Sequence, residues 1–332
     1  MIKAIVTGGA GFIGSHMVDL LVKKNIEVTV IDNLANGRLE NIEHHKGKIK
    51  FIKADISDYS FDFNKYFEDV DYVFHYAALA DIVPSINNPL KYHKANVDGT
   101  INILQAAKNS KKLKKFVYAA SSSCYGIPEK YPTEENSIIA PEYPYAHTKR
   151  VGEEYVMHWG QVYNMPVVSM RFFNVYGPRH RTSGTYGAVF GVFLAQLLNN
   201  KPLTVVGDGK QTRDFTFVTD IVDACFTAAE SNITNEIMNV GSDNTYSVNY
   251  LVELLGGNKI HIPKRPGEPD CTYADITKIK QLLGWSPKVS FEEGVKVMLD
   301  NIEQWRESPV WDEHSIEEAT KDWFEYLGDN ND

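Results

Sequence analysis

The chain has 332 residues, 43% of them hydrophobic and 12% aromatic, which supplies a sizeable core and excludes a disordered tail or a mini-protein. Its 34 basic against 43 acidic residues leave a net charge of −9, a poor basis for nonspecific binding to nucleic acid or anionic membrane, so small-molecule partners are expected. The three cysteines, Cys124, Cys225 and Cys271, lack CxxC spacing, so a disulfide framework, a zinc site or any other metal site is not expected, and a reducing cytoplasm is the expected setting.

In chain order, the first predicted element is a strand at Ala4-Ile5-Val6, and the sequence Thr7-Gly8-Gly9-Ala10-Gly11-Phe12-Ile13-Gly14 follows it directly. A helix comes next, with Met17, Val18, Leu20 and Leu21 on one face. Glycine in a strand-to-helix turn lets backbone N–H groups approach a pyrophosphate with no Cβ in the way, and the helix N-terminus adds free N–H groups. Strand two, Val28-Thr29-Val30-Ile31, ends at Asp32. A carboxylate there accepts from both adenosine ribose hydroxyls and repels a 2′-phosphate, so NAD is expected over NADP.

Further strands are predicted at Ile49-Lys50-Phe51-Ile52, Tyr72-Val73-Phe74 and Phe116-Val117-Tyr118. A helix after Asn96 buries Ile101, Ile103, Leu104 and Ala107, and the short basic run Lys108 to Lys115 reads as a solvated helix end. Strands alternating with helices imply right-handed crossovers, hence an α/β fold with a Rossmann-type doubly wound parallel sheet. No segment approaches the ~18 apolar residues of a membrane span.

Beyond strand five, Ala120-Ser121-Ser122-Ser123-Cys124-Tyr125-Gly126 presents hydroxyls where a parallel sheet presents ligands. After Pro144, Tyr145-Ala146-His147-Thr148-Lys149 sets a phenol and an ammonium one helical turn apart, with His147 on another face. Past residue 170 the alternation weakens at Gly177-Pro178, Gly207-Asp208-Gly209 and Pro266-Gly267. The expected organisation is an NAD-binding domain over 1–170 and a smaller, interleaved α/β substrate-binding domain over 171–332, with segments returning to the Rossmann sheet. The tail from Ser315 to Leu327 reads as a docked amphipathic helix of no legible function.

The Gly-x-x-Gly-x-x-Gly turn and the Tyr-x-x-x-Lys pair resemble the extended short-chain dehydrogenase/reductases. Within them the chain is similar to the NAD-dependent nucleotide-sugar epimerase/dehydratase family, closest to UDP-hexose and UDP-N-acetylhexosamine 4-epimerases. The resemblance implies NAD held by Gly8, Gly11, Phe12, Ile13, Gly14, Asp32, Asn33 and Asn36, by Asp55 and Ile56 at the adenine, by Ala77, Ala78, Leu79 and Asn96, and by Tyr145 and Lys149. Tyr145 is implied as general base and acid, assisted by Lys149 and by the Ser121 hydroxyl, with Ser123 facing the substrate. A phenol with an ordinary pKa near 10 must fall to about 7, roughly 4 kcal/mol, to serve as a base at neutral pH. Lys149 and the positive nicotinamide are the charges expected to lower it. Asn174 is implied at the sugar diphosphate. Arg213 and Arg265 suit the diphosphate as planar forks, and Glu268 suits the nucleotide ribose.

The expected reaction is 4-epimerisation through a transient 4-keto sugar. The alternative is a net 4-dehydrogenase releasing a 4-keto hexose or heptose, for example GDP-linked. Family members that eliminate water or decarboxylate carry Asp-Glu or a Glu after the assisting hydroxyl. Here those positions are Ser122 and Ser123, which disfavours a 4,6-dehydratase, and a silent NAD-binding scaffold is disfavoured by Tyr145, Lys149 and Ser121. Two departures bear on the sugar: Ala80 replaces the lysine common after the strand-four turn, and Thr272 stands where some members carry a shielding tyrosine, leaving room for an acetamido group or a larger sugar. The loop Arg181 to Val189 resembles that of members acting on N-acetylhexosamines. A UDP-sugar is favoured, with a GDP-sugar as the other expectation. Apolar helices beginning near Leu90 and Tyr145 are expected to pair as a four-helix bundle in a homodimer.

Overall fold

The computed structural model describes residues 1–180 and 186–328. Strands β1 (Lys3–Thr7), β2 (Glu27–Asp32), β3 (Ile49–Lys53), β4 (Tyr72–His75) and β5 (Lys115–Ser121) coincide with the β-branched and aromatic runs, and β6 (Val167–Phe172) adds a strand that those runs did not include. Short strands β7 (Val175–Tyr176), β8 (Leu203–Val206), β9 (Thr212–Arg213) and β10 (Thr216–Phe217) follow. β11 (Glu236–Val240) then returns to complete a parallel seven-stranded sheet of order β11-β6-β5-β4-β1-β2-β3. β12 (Tyr246–Ser247) pairs with β9 and β13 (Lys259–Ile262) with β8.

Helices α1 (Phe12–Lys23), α2 (Asn64–Phe67), α3 (Ile82–Asn87), α4 (Pro89–His93), α5 (Gly99–Lys108) and α6 (Pro144–Tyr163) connect the first strands. Later come α7 (Val189–Leu198), α8 (Val218–Glu230), α9 (Val248–Leu255), α10 (Thr277–Leu283), α11 (Phe291–Asp300) and α12 (Glu313–Leu327). Alternate strand residues serve opposite faces, as a period of two requires. Val6, Val30, Phe74, Val117 and Met170 pack with Met17, Val18 and Leu21 of α1 and with Ile221 and Cys225 of α8. Ile5, Ile31, Val73, Phe116 and Val167 pack with Phe67, Ile103, Leu104 and Val156 on the other face. Both faces being covered, β4 and β6 are buried at every residue, the mark of a parallel sheet.

The expected boundary at residue 170 falls inside β6, since the turn at Gly177-Pro178 lies beyond that strand. α8, β11 and α10 then rejoin the sheet layer from the second half, as interleaving requires. The rest gathers around a separate core of Tyr176, Phe190, Phe215, Phe291 and Trp305. Ile316, Thr320 and Trp323 form the buried face of α12, which packs against α3. Among the described residues, no helix is long and apolar enough to cross a membrane.

Beneath the sheet's C-terminal edge, Arg171 donates Nη2 to Glu153 Oε1 at 2.7 Å and Nε to Oε2 at 3.0 Å. Ser169 and Arg150 donate to the same carboxylate, and Arg171 reaches the Tyr125 hydroxyl at 2.7 Å. This buried, hydrogen-bonded pair ties α6 to β6 and to the turn after β5.

Candidate active site

The strand order reverses between β1 and β4, and a cleft of about 710 Å³ opens there at the strands' C-terminal ends, the position a doubly wound sheet reserves for ligands. At its dinucleotide end the chain is built for close approach. Gly8 lies at φ +68°, and a Cβ on it would stand 2.7 Å from the Ala77 nitrogen. A Cβ on Gly14 would stand 2.2 Å from the Gly8 carbonyl oxygen, so α1 packs directly on the turn. Gly11 caps α1 with no side-chain acceptor, which leaves first-turn N–H groups for an anion.

Asp32 is buried and accepts from the Ala10 amide at 3.0 Å and the Leu34 amide at 2.8 Å, one bond per oxygen. A second lone pair on each oxygen remains for a diol. Burial pushes its pKa up, and the two backbone bonds oppose the rise. Asn33 bridges from the Ala35 amide to Asp55, and Asp55 accepts from the Ser57 amide at 2.9 Å. Gly8, Gly11, Phe12, Ile13, Gly14, Asn36, Ile56, Ala77, Ala78 and Leu79 line the same cleft. The residues present fit a dinucleotide.

Asn96 differs from expectation. It is fully buried in a π-helical turn, Lys94–Asp98, and does not line the cleft. Its amide is spent on the protein: Oδ1 accepts from the Leu79 amide at 2.8 Å, while Nδ2 donates to the Leu79 carbonyl and to Thr148 Oγ1, each at 3.0 Å. Asn96 therefore pins the loop after β4 to α6 from below.

Pro144 at N1 starts α6 after the extended Tyr143, and Tyr145 and Lys149 both face the cleft. β5 delivers Ser121, whose Oγ lies 2.8 Å from Ser123 Oγ and which lines the cleft with Tyr145. Burial raises the pKa of Tyr145, and the Ser121 hydroxyl works against that rise. Asp81 and Cys124 add to the rise through their charges. Lys149 is itself buried, with Nζ 4.2 Å from the Tyr118 ring centroid, and burial pulls its pKa down to about 7. His75, buried beneath, bonds Thr7 and Thr100 through its two ring nitrogens and is held neutral, near 3, by burial first and Lys149 second. His147 is exposed.

At the other end, Asn174 accepts from the Thr272 hydroxyl at 2.6 Å. Arg213 donates to Glu268 Oε1 at 3.0 Å, and Arg265 Nε lies 3.8 Å from Glu268 Oε2. Glu268, expected at a ribose, here bridges the two arginines, since opposite charges draw together in a half-buried pocket. Arg265 also donates to the Tyr186 hydroxyl at 2.7 Å and lies over the rings of Tyr186 and Trp323. Arg181 to Thr185, most of the loop compared with N-acetylhexosamine enzymes, lies outside the described residues.

Sequence reasoning missed Tyr118, Tyr143, Tyr186 and Trp323, all at or beneath the cleft. Tyr143 and Tyr145 stack with centroids 6.4 Å apart, and their i, i+2 spacing before a Pro-initiated helix was the one available signal. The others come from distant segments. Away from the cleft, Asp19 Oδ1 lies 2.7 Å from both His44 Nε2 and His45 Nε2, while Arg179 pairs with Oδ2 at 2.8 Å, so protein groups already meet this carboxylate's charge.

Over residues 5–298 the chain matches the family described as GDP-mannose 4,6 dehydratase. It is 40% identical over 299 residues to a Methanocaldococcus jannaschii protein provisionally assigned as a UDP-glucose 4-epimerase, covering 88% of this chain and 95% of that one. It is 35% identical to UDP-glucuronic acid decarboxylase 2 of Arabidopsis thaliana, covering 91% of this chain and 68% of that one. Among solved structures it resembles UDP-N-acetylglucosamine 4-epimerase from Methanobrevibacter ruminantium in complex with UDP-N-acetylmuramic acid, at 34% identity and TM-score 0.86, covering 91% and 98% of the two chains. It also resembles UDP-glucuronic acid 4-epimerase from Bacillus cereus in complex with UDP-glucuronic acid and NAD, at 34% identity and TM-score 0.84, covering 91% and 99%.

Proposed function

The chain belongs to the extended short-chain dehydrogenase/reductase family described as GDP-mannose 4,6 dehydratase, and from that premise we propose that it is an NAD-dependent nucleotide-sugar 4-epimerase. One observation carries the reading: a single cleft joins a dinucleotide cradle, Ser121 and Tyr145 with Lys149 one turn on, and a pair of arginines. The glycine turn, Asp32, Asp55, Ile56 and Ala77 to Leu79 hold NAD. NAD held there would supply a reversible hydride acceptor for C4 of the sugar.

Tyr145 takes the C4 hydroxyl proton and gives it back after the sugar has turned. Ser121 stabilises the phenolate by its hydrogen bond, and Lys149, when protonated, stabilises it by charge. Arg213 and Arg265 bind the diphosphate, Asn174 supports it, and Ser123 faces the sugar. Glu268 exchanges an arginine for the ribose hydroxyls when the nucleotide enters. UDP is the favoured nucleotide, because the relatives and structures compared are named for UDP-sugars. Ser122 and Ser123, in place of acid residues after the assisting hydroxyl, favour epimerisation over decarboxylation.

The assembly proposed is a homodimer through a bundle of α4 to α6 from each copy. Leu90 at the start of α4, 84% exposed, and Val162 and Tyr163 at the end of α6 are the exposed apolar side chains available to it. Three free cysteines support a reducing, cytoplasmic setting. The test is incubation with UDP-, GDP-, CDP- and dTDP-sugars, following C4 configuration by NMR and NADH by absorbance. Interconverted C4 epimers without NADH build-up support the reading. Accumulating NADH with a released keto sugar overturns it in favour of the 4-dehydrogenase.

A further inference from the structure

α12 lies beyond residue 298, where the family match ends, yet it places a side chain on the cleft. Trp323, 2% exposed, donates its indole Nε1–H to the Pro266 carbonyl at 2.7 Å. Its ring lies under Arg265, with the guanidinium carbon 5.6 Å from the centroid, and beside Tyr143 at 6.2 Å. The segment Arg265 to Glu268 is irregular, turns at Gly267 with φ +66°, and carries two of the charged groups of the substrate end. A loop without a strand or helix ladder takes its position from such side-chain anchors. Among the described residues, the other side-chain hydrogen bonds of this segment are Arg265 to Tyr186 and Arg213 to Glu268, and both engage the very groups a ligand must use.

We propose that Trp323 is a positioning residue of the nucleotide-sugar site: α12 acts as a strut that holds the Arg265 loop at the cleft and sets the guanidinium's direction. The hydrogen bond to Pro266 fixes the backbone, and the indole face fixes the Arg265 side chain by a cation–π contact that leaves the N–H edges free to donate. The inference rests on the nucleotide-sugar reading above, in which Arg265 binds the diphosphate.

The test uses the NAD-loaded full chain. Calorimetry identifies which of UDP, GDP, CDP and dTDP the wild type binds, and that diphosphate and its monophosphate are then titrated into Trp323→Ala and Trp323→Phe. The expected result for Trp323→Ala is a loss of about tenfold or more for the diphosphate, a distinctly smaller loss for the monophosphate, and unchanged NAD content. Trp323→Phe keeps a ring under Arg265 but removes the indole donor, so an intermediate loss is expected, and this variant decides the matter if the alanine variant fails to fold. Unchanged diphosphate affinity, or equal losses for diphosphate and monophosphate, overturns the role of Trp323 alone. A wild type that binds none of the four diphosphates brings down the nucleotide-sugar reading itself, and this inference with it.

Discussion

The ammonium of Lys149 stands 4.2 Å from the centre of the Tyr118 ring, inside the protein and one helical turn beyond Tyr145. Tyr118 comes from β5 and Lys149 from α6, so the ring face that receives the cation is set by the packing of that helix on the sheet. Burial holds the Lys149 pKa near 7, with Glu153 opposing the fall. The group is thus poised to change charge close to neutral pH.

A stability prediction follows from that pKa. In the unfolded chain Lys149 titrates near 10.5, and in the cofactor-free folded protein near 7. Below pH 7 both states hold the proton and the fold bears the full cost of a buried ammonium. Between pH 7 and 10.5 the folded state releases it first, so this cost fades as pH rises. Lys149→Met is expected to stabilise the cofactor-free protein at pH 6 by on the order of 4 kcal/mol, and progressively less toward pH 10. Urea unfolding at pH 6, 8 and 10 checks this, and a pH-independent difference would contradict it.

Tyr145→Phe removes the only atom of that side chain able to carry the proton. Its turnover is expected to drop by about 10²–10⁴-fold or more while NAD content is retained. Ser121→Ala should lower turnover less, and should also shift the ascending limb of the pH–rate profile, which reports deprotonation of the base, to higher pH, because the Ser121 hydroxyl counters the effect of burial on the phenol. Steady-state rates from pH 6 to 10 separate the two variants. Wild-type turnover by Tyr145→Phe would falsify the assignment of the base.

The Arg171 and Glu153 pair is a buried, two-bond ion pair beneath the site. Arg171→Met strips Glu153 of two hydrogen bonds and leaves a buried carboxylate, at an expected loss of about 3–5 kcal/mol. The double variant Arg171→Met, Glu153→Met removes both charges and should lose markedly less. Denaturant midpoints of the two singles and the double make the comparison. A double variant as unstable as the sum of the singles would show that the pair is not coupled.

Asn96→Ala leaves the Leu79 N–H and C=O without their partner inside the protein. The expected cost is about 2 kcal/mol, and the loop from Ala77 to Leu79 should loosen against the dinucleotide. NAD retained after gel filtration and the thermal midpoint are the two readings. A loss of NAD with little change in midpoint would still fit a positioning role, whereas neither changing would refute it.

Much of this molecule is determined by local pattern. Short runs of β-branched and aromatic residues alternating with helices of period 3.6 prescribe the parallel sheet, and the glycines after β1, Asp32 after β2 and the Tyr145, Lys149 pair are legible because each motif is contiguous and its spacing is its geometry. Three matters were decided only by tertiary structure. Asn96 turned away from the cleft because its amide found the Leu79 backbone and Thr148 across a buried gap. Glu268 met Arg213 because charges 55 positions apart in sequence share one pocket. Trp323, in a tail with no motif, reached the Arg265 loop 57 positions away, since the apolar face of an amphipathic helix announces that it docks but not where. Periodicity encodes which side of an element is buried. What that side meets depends on how all the other elements pack.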